Sequence, residues 1–396
     1  MKESTVFPIL PLGKICILHS GGTPRRSNNK YYGGNIPWAK IADLDTENGI
    51  VVDTEEYITV EGLQAINNRI FPKGSILLAM YGSIGKLAIA GRDISCNQAI
   101  LGIQIKDKEH LDINYLRLWL TSIKATLEFQ GRGVTQQNIS KSIVEKLEIP
   151  LPPLEEQRRI AAILDKADGV RRKRKEAIRL TEELLKSTFL EMFGDSERNF
   201  REHCEQDCFL PLEKCIERFI DYRGKTPTKA NSGVPLITAK IIKNGRIQPP
   251  NEFIARENYD SWMRRGLPQL GDVLFTTEAP LGEVAQVDDP DIALAQRVLL
   301  MRGKSNILDN TYLFGTLQSS FVRDQIERRS TGSTVKGIRQ KELRKVVIPI
   351  PPIFLQRKYA SFAVSQQKCT DRQKLLFKES ENLFNSLLQK AFRGEL

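Results

Sequence analysis

The sequence predicts a mixed α/β (α+β) fold built as an internal repeat, in which a strand-rich domain is followed by a long helix and the pair is then repeated. Three observations carry this: a proline-bearing motif that occurs twice, short apolar runs ahead of each copy, and a proline-free helical stretch behind each copy.

The motif is Ile149-Pro150-Leu151-Pro152-Pro153 with Gln157 beyond it. It recurs 199 residues later as Ile348-Pro349-Ile350-Pro351-Pro352 with Gln356. Other pieces recur in the same order at nearly the same offset: Thr23-Pro24 with Thr226-Pro227, Ile36-Pro37 with Val234-Pro235, Phe71-Pro72 with Leu267-Pro268, and Gly85 with Gly282. One short match could be chance, but an ordered set at one period marks a duplicated unit. Proline holds φ at about −65° and keeps the residue before it out of the helical region, so each motif should be extended and stiff.

Ahead of each motif lie short β-like runs (75–82, 86–91 and 98–105, then 272–277 and 297–302) punctuated by Gly and Pro. Behind the first motif, Ile160, Ile163, Leu164, Ala167, Val170, Ala177, Ile178, Leu184, Leu185 and Phe189 fall at helical spacing, and Gly169 need not interrupt them. Behind the second, Phe362, Cys369, Leu376 and Leu383 are spaced by seven, flanked by Phe377 and Phe384. Helices of about 35–40 residues, roughly 50–60 Å long, with one apolar stripe each need a partner, and each is the other's nearest candidate. The boundaries expected are a first domain over 1–153, its helix over 154–195, a second domain over 196–352 and its helix over 353–396.

Composition bounds the function. With 40% hydrophobic and 27% charged residues, the chain has the balance of a folded protein. No apolar run approaches the roughly 18 residues of a membrane span, and the N-terminal residues lack a signal-peptide pattern, so a cytoplasmic location with reduced cysteines is expected. The cluster of His203, Cys204, Cys208 and Cys215 has no C-x-x-C pair, so no metal site is expected. The net charge of +11 points toward a polyanion. It is spread out, however: residues 154–194 carry 10 basic and 8 acidic groups, and 353–396 carry 8 and 4. The run Arg171-Arg172-Lys173-Arg174-Lys175 has acidic neighbours and reads better as a solvated helix face than as a phosphate patch.

Catalytic signatures are missing from the sequence. There is no H-E-x-x-H, G-x-S-x-G or Walker A loop, no glycine-rich cofactor fingerprint and no Asn-Pro-Pro-Tyr-like methyltransferase motif. Gly82-Ser83-Ile84-Gly85-Lys86 lacks the spacing of a phosphate loop and lies between two strand-like runs, although Lys86 stays a DNA-contact candidate. The polar loops remain. Thr23, Arg25, Arg26, Lys30, Tyr31 and Tyr32 share one, and Tyr222, Arg223, Lys225, Thr226, Thr228 and Lys229 form its repeat counterpart. A second pair holds Arg132, Thr135, Gln136, Gln137 and Asn138, matched by Ser330, Thr331, Ser333, Thr334 and Lys336. Such side chains hold phosphates and read base edges, whereas ordinary exposed loops would merely meet water. The residues alone therefore indicate a duplicated, two-domain DNA-binding adaptor, with a coiled-coil scaffold as the alternative.

The paired I-P-[LI]-P-P-x-x-x-Q elements, 221–227 opening the second half, 332–336 before the second motif and the terminal 391–396 together resemble the specificity subunits of type I restriction–modification systems. The resemblance covers essentially the whole chain. It implies two target-recognition domains separated by two long antiparallel coiled-coil helices, each domain reading half of a split double-stranded DNA site while the helices fix the gap. It further implies that the chain is non-catalytic and docks two methyltransferase subunits, with restriction subunits joining. S-adenosylmethionine, ATP and Mg are then expected on the partners, and no cofactor on this chain.

Overall fold

The computed structural model describes residues 7–46, 48–131, 138–203, 208–222 and 226–396. Four helices organise the packing: α1 (Ile113–Ser122), α2 (Leu154–Phe193), α3 (Asn310–Thr316) and α4 (Ile353–Phe392). The chain divides into two compact units, the first made of residues up to 175 together with 375–396, the second of 176–374. Each unit therefore takes a stretch of α2 and a stretch of α4.

In the first unit, strands β1 (Cys16–Ser20), β2 (Tyr32–Ala39), β3 (Ile76–Ala79), β4 (Leu87–Ala90) and β5 (Ile100–Ile105) are the principal ones. The main sheet runs β1-β5-β3-β4, antiparallel throughout, with Ile50–Val51 added parallel at the β4 edge. Successive residues of a strand face opposite sides. Ile76 and Leu78 accordingly pack with Leu116, Trp119 and Leu164, while Leu77 and Ala79 pack with Leu44, Val51, Phe71 and Ile94. Both faces of β3 are covered, which is why this antiparallel strand reads as an unbroken apolar run. A smaller sheet centres on β2, antiparallel to Tyr57–Ile58 and parallel to Ser95–Cys96.

The second unit repeats this plan. Its strands are β6 (Ile216–Asp221), β7 (Val234–Ile237), β8 (Val273–Thr277), β9 (Leu281–Gln286) and β10 (Val298–Gly303). The main sheet is β6-β10-β8-β9, all antiparallel, and β7 pairs antiparallel with Phe253–Ile254 and parallel with Ala293–Leu294. Alternation again splits the faces: Val273 and Phe275 join the helix-side core, and Leu274 joins the opposite one.

The proline motif works as a rigid seam. Glu148–Pro150 pairs with Ile9–Pro11, and Val347–Pro349 pairs with Phe209–Pro211. Beyond each motif a fully buried glutamine closes three backbone gaps. Gln157 accepts from Asp112 N (2.9 Å) and donates to His110 O (2.9 Å) and Pro152 O (2.8 Å). Gln356 does the same with Asp309 N (2.9 Å), Ile307 O (2.9 Å) and Pro351 O (2.7 Å). In each unit the aspartate so held caps the next helix through its side chain, Asp112 for α1 and Asp309 for α3. Tyr115 and Tyr312 then donate from α1 and α3 to Pro150 O (2.8 Å) and Pro349 O (3.0 Å). The motif thus ties strand, capped helix and long helix into one joint.

Within each unit the long helices run antiparallel. In the first, Arg159 donates to Leu396 O (2.9 Å) while Arg171 lies over the Phe384 ring (5.2 Å). In the second, Lys374 pairs with Glu182 (3.3 Å) while Tyr359 packs on Phe189 and Phe193 (5.3 and 5.8 Å). Gly169 sits inside α2 in open space and does not break it.

The heptad expected in α4 is corrected by one residue. Of the four positions expected, Phe362 and Leu376 are half-buried but Cys369 and Leu383 are exposed, and the more deeply buried register is Ala363, Thr370, half-buried Phe377, Phe384 and Ala391, also spaced by seven. Thr370 hides this register because it is polar. Its hydroxyl donates to Gln366 O (3.0 Å), so burial leaves nothing unsatisfied. Among the basic run in α2, Arg171 and Arg172 pair with Asp168 (2.7 and 3.1 Å), consistent with a helix face balanced by its own acids. Among the described residues no helix is long and apolar enough to cross a membrane.

Candidate nucleic-acid interface

The two polar loops expected in each half are joined by a short chain of hydrogen bonds, and the same chain occurs in both units. In the first, the Thr23 hydroxyl bonds the Gln98 side chain. The next residue, Ala99, accepts from Met80 N (2.8 Å), and Met80 O accepts from Ile139 N (3.0 Å). Tyr81 and Asn138 form a β-bridge beside it, and Asn138 N donates to Gly131 O (3.1 Å), closing the base of the second loop.

In the second unit, Gln296 donates to the Thr226 hydroxyl (3.0 Å). Arg297 O accepts from Thr277 N (2.8 Å), and Thr277 O accepts from Ile338 N (2.9 Å). Glu278 bridges Gly337, and Thr331 and Gly337 exchange two backbone bonds (2.8 and 2.9 Å) that close the loop tipped by exposed Ser333 and Thr334. Gly332 is required there. Its φ is +109°, and a Cβ would sit 2.1 Å from Val335 O. In each unit the end of the main sheet thus gathers the described ends of both loops.

A second repeated device anchors the first loop. Arg26 pairs with Glu56 (2.5 Å), and Lys229 pairs with Glu252 (3.0 Å). The backbone carbonyls of the same two glutamates accept from Trp38 N (3.0 Å) and Leu236 N (2.9 Å). In the first unit the anchor is elaborated. The Arg26 guanidinium lies over Tyr32 (4.7 Å) and Trp38 (5.0 Å), and Lys40 also reaches Glu56 (2.9 Å). Arg26 and Lys40 together hold the Glu56 carboxyl below its usual range.

The candidates fall into groups. Thr23, Arg25, Arg26, Lys30, Thr226, Lys229, Thr334 and Lys336 are exposed along these loops, with Lys336 3.6 Å from Glu327. Tyr31 is half-buried, and its carbonyl accepts from Thr59 N (3.0 Å). Lys86 lies in the turn between β3 and β4, as the strand-like flanks implied, and pairs with Asp45 (3.3 Å). Tyr222, taken from sequence as an exposed loop residue, lies in the core. Its ring stacks on Trp262 (5.6 Å), and its hydroxyl donates to Gly266 O (3.0 Å) and accepts from Arg265 N (3.2 Å). Arg132, Thr135, Gln136, Gln137, Arg223 and Lys225 lie outside the described residues.

Sequence reasoning missed Gln98 and Gln296, Glu56 and Glu252, and the residues at the cleft beside the second loop, Glu278 and Arg297. The repeat itself carried the signal. Both glutamines and both glutamates recur near the motif's own offset, but outside the polar loops singled out by sequence.

Comparison with known proteins agrees with this plan. The family model for the type I restriction modification DNA specificity domain matches residues 2–180 and 218–374. The MjaIX specificity subunit of a type I restriction enzyme from Methanocaldococcus jannaschii is 24% identical, covering 100% of this chain and 94% of that protein. The EcoKI specificity subunit of Escherichia coli strain K12 is 21% identical, covering 98% and 89%. The S subunit of a type I restriction–modification system from M. genitalium superposes with a TM-score of 0.61 at 17% identity, over 99% of this chain and 98% of that one. A second structure, from work on assembly and conformational transition of the type I system, gives 0.57 at 20% identity over 100% of both chains. At these identities the two structures establish a shared fold. With two family matches that together span most of its length, the chain belongs to the type I restriction–modification specificity family.

Proposed function

We propose that the chain is the DNA-reading component of a type I restriction–modification enzyme, in which each unit reads one half of a split double-stranded site. The supporting observation is the hydrogen-bond chain that brings two polar loops to one sheet edge, built the same way in both units. Loops held on a rigid scaffold are the usual place for recognition, and their Thr, Asn, Gln, Arg and Lys side chains suit phosphates and base edges. The candidates outside the described residues, Arg132, Thr135, Gln136, Gln137, Arg223 and Lys225, are proposed for the same surface.

The remaining roles fit the helices. Each long helix has 40 residues and contributes to both units. On this reading they set the gap between the half-sites, so that two modest affinities act together only at one spacing. Exposed Val170, Leu180, Leu184, Val364, Leu375 and Leu383 on these helices would dock two methyltransferase subunits, with restriction subunits completing the assembly in the cytoplasm. S-adenosylmethionine, ATP and Mg act on those partners, and the chain itself positions them on DNA.

The test is to co-express the tagged full chain with its host's type I methyltransferase and map adenine methylation. A split motif with a constant gap is expected. Replacing 330–336 with a Gly/Ser loop should change one half of it only. A stable complex that methylates without a motif would leave the scaffold alternative and overturn the reading.

A further inference from the structure

Beside the second loop of the second unit lies a cleft of about 460 Å³, lined by Thr277, Glu278, Gln296, Arg297, Thr331 and Arg339 among others. Arg297 has φ +70°, a left-handed conformation that glycine adopts freely and a bulky residue rarely does. The surroundings impose it. The Arg297 carbonyl accepts from both Thr277 N (2.8 Å) and the Thr277 hydroxyl (3.3 Å), and the neighbouring Gln296 is tied to Thr226. Strain of this sort at a cleft is retained where the side chain is needed. That side chain is half-exposed and meets Glu278 with its Nε at 3.5 Å, a loose pair that costs little to rearrange. Among the described residues its two terminal nitrogens make no hydrogen bond.

Resting on the function proposed above, we propose that Arg297 and Glu278 together read one G·C base pair in the half-site taken by the second unit. Two features favour a base over a phosphate. A carboxylate beside the guanidinium repels a phosphate, which would be better served by a cation alone. In the major groove, by contrast, a G·C pair presents guanine O6 and N7, which suit the arginine fork, next to the cytosine amino group, which suits a carboxylate acceptor. The corresponding positions of the first unit carry Tyr81 and Ala99 and offer neither group. The effect should therefore be confined to one half-site.

The experiment maps adenine methylation made by the full complex with wild-type chain, R297G, R297K and E278A. Glycine suits the backbone at 297, so R297G should leave the melting temperature of the complex unchanged or raised. It should nonetheless relax a single G·C position of one half-site by roughly ten- to a hundred-fold, with the other half-site and the gap unaltered. E278A should relax the same position, and R297K should restore only part of the preference because lysine lacks the fork. An unchanged motif in R297G, or a uniform fall in methylation at every site with no position altered, would overturn the proposal while leaving the function in place. A wild-type complex with no split motif would instead overturn the function itself.

Discussion

The two units share a frame and differ at its edge. Gln157 and Gln356 close the same three gaps, Tyr115 and Tyr312 reach the same proline carbonyl, and both loop-joining chains run through the same steps. The edge residues part company. The first unit has Arg26 over the Tyr32 and Trp38 rings and paired with Glu56, with Tyr81 and Ala99 at the bridge. The second has Lys229 on Glu252, a Tyr222–Trp262 stack, and Glu278 with Arg297 at its cleft. The residues that order backbone are alike in the two units and the exposed edge residues differ, as expected if, on the function proposed, only the frame must stay constant for two different sequences to be read.

The comparison can be broken most forcefully at the glutamines. Q157A should destabilise the first unit by roughly 3 kcal/mol, because it orphans one buried N–H and two carbonyls, and Q356A should do the same to the second. Hydrogen exchange resolved by segment checks this: protection should fall around 110–157 in one variant and 307–356 in the other. Equal loss in both units from either change would show that the frames are not separate joints. Y115F and Y312F sharpen the point. Each removes one hydroxyl bond to a proline carbonyl and should cost about 1 kcal/mol by thermal melting, with the two effects equal.

A smaller effect belongs to the first-loop anchor of the first unit. Because Glu56 has a lowered folded pKa, its contribution is present above the ordinary glutamate value and lost as pH falls through the folded one. The first unit should therefore weaken below about pH 4.5, and E56Q should flatten that acid slope when melting is followed against pH. An unchanged slope would remove the electrostatic role of the Arg26–Glu56–Lys40 anchor. Least of all in stability, T23V and T226V should each cost about 0.5 kcal/mol, since the hydroxyls are at exposed sites. Each should still blur methylation at its own half-site, because the first loop loses its tie to the second.

Much of the frame was legible in the sequence because it rests on periodic and covalent signals. The proline motif, the paired strand runs and the two long helices all announce themselves by spacing, and Lys86 was correctly placed between strands. The errors have physical sources. The α4 register slipped by one because a buried threonine satisfied within its helix looks like surface, while Cys369 and Leu383 look like core. Tyr222 was read from its polar neighbours, although an aromatic ring finds a core whenever its hydroxyl has partners such as Gly266 O and Arg265 N. Gln98, Gln296 and Arg297 stayed hidden because their placement depends on two sheets meeting, which no local pattern encodes.

The division of the helices between units carries a consequence for biosynthesis. Phe384, Leu388 and Ala391 complete the core that contains Leu116, Trp119 and Leu164, yet residues 176–374 lie between them in the chain. On the ribosome the second unit has all its parts before the first has its last. The first must wait with Ile160, Ala161 and Leu164 uncovered, at synthesis rates of about 5–20 residues per second. A nascent chain of this design is thus most vulnerable to chaperone capture or aggregation at its oldest half, and a release after residue 374 would leave the younger unit whole and the older one open.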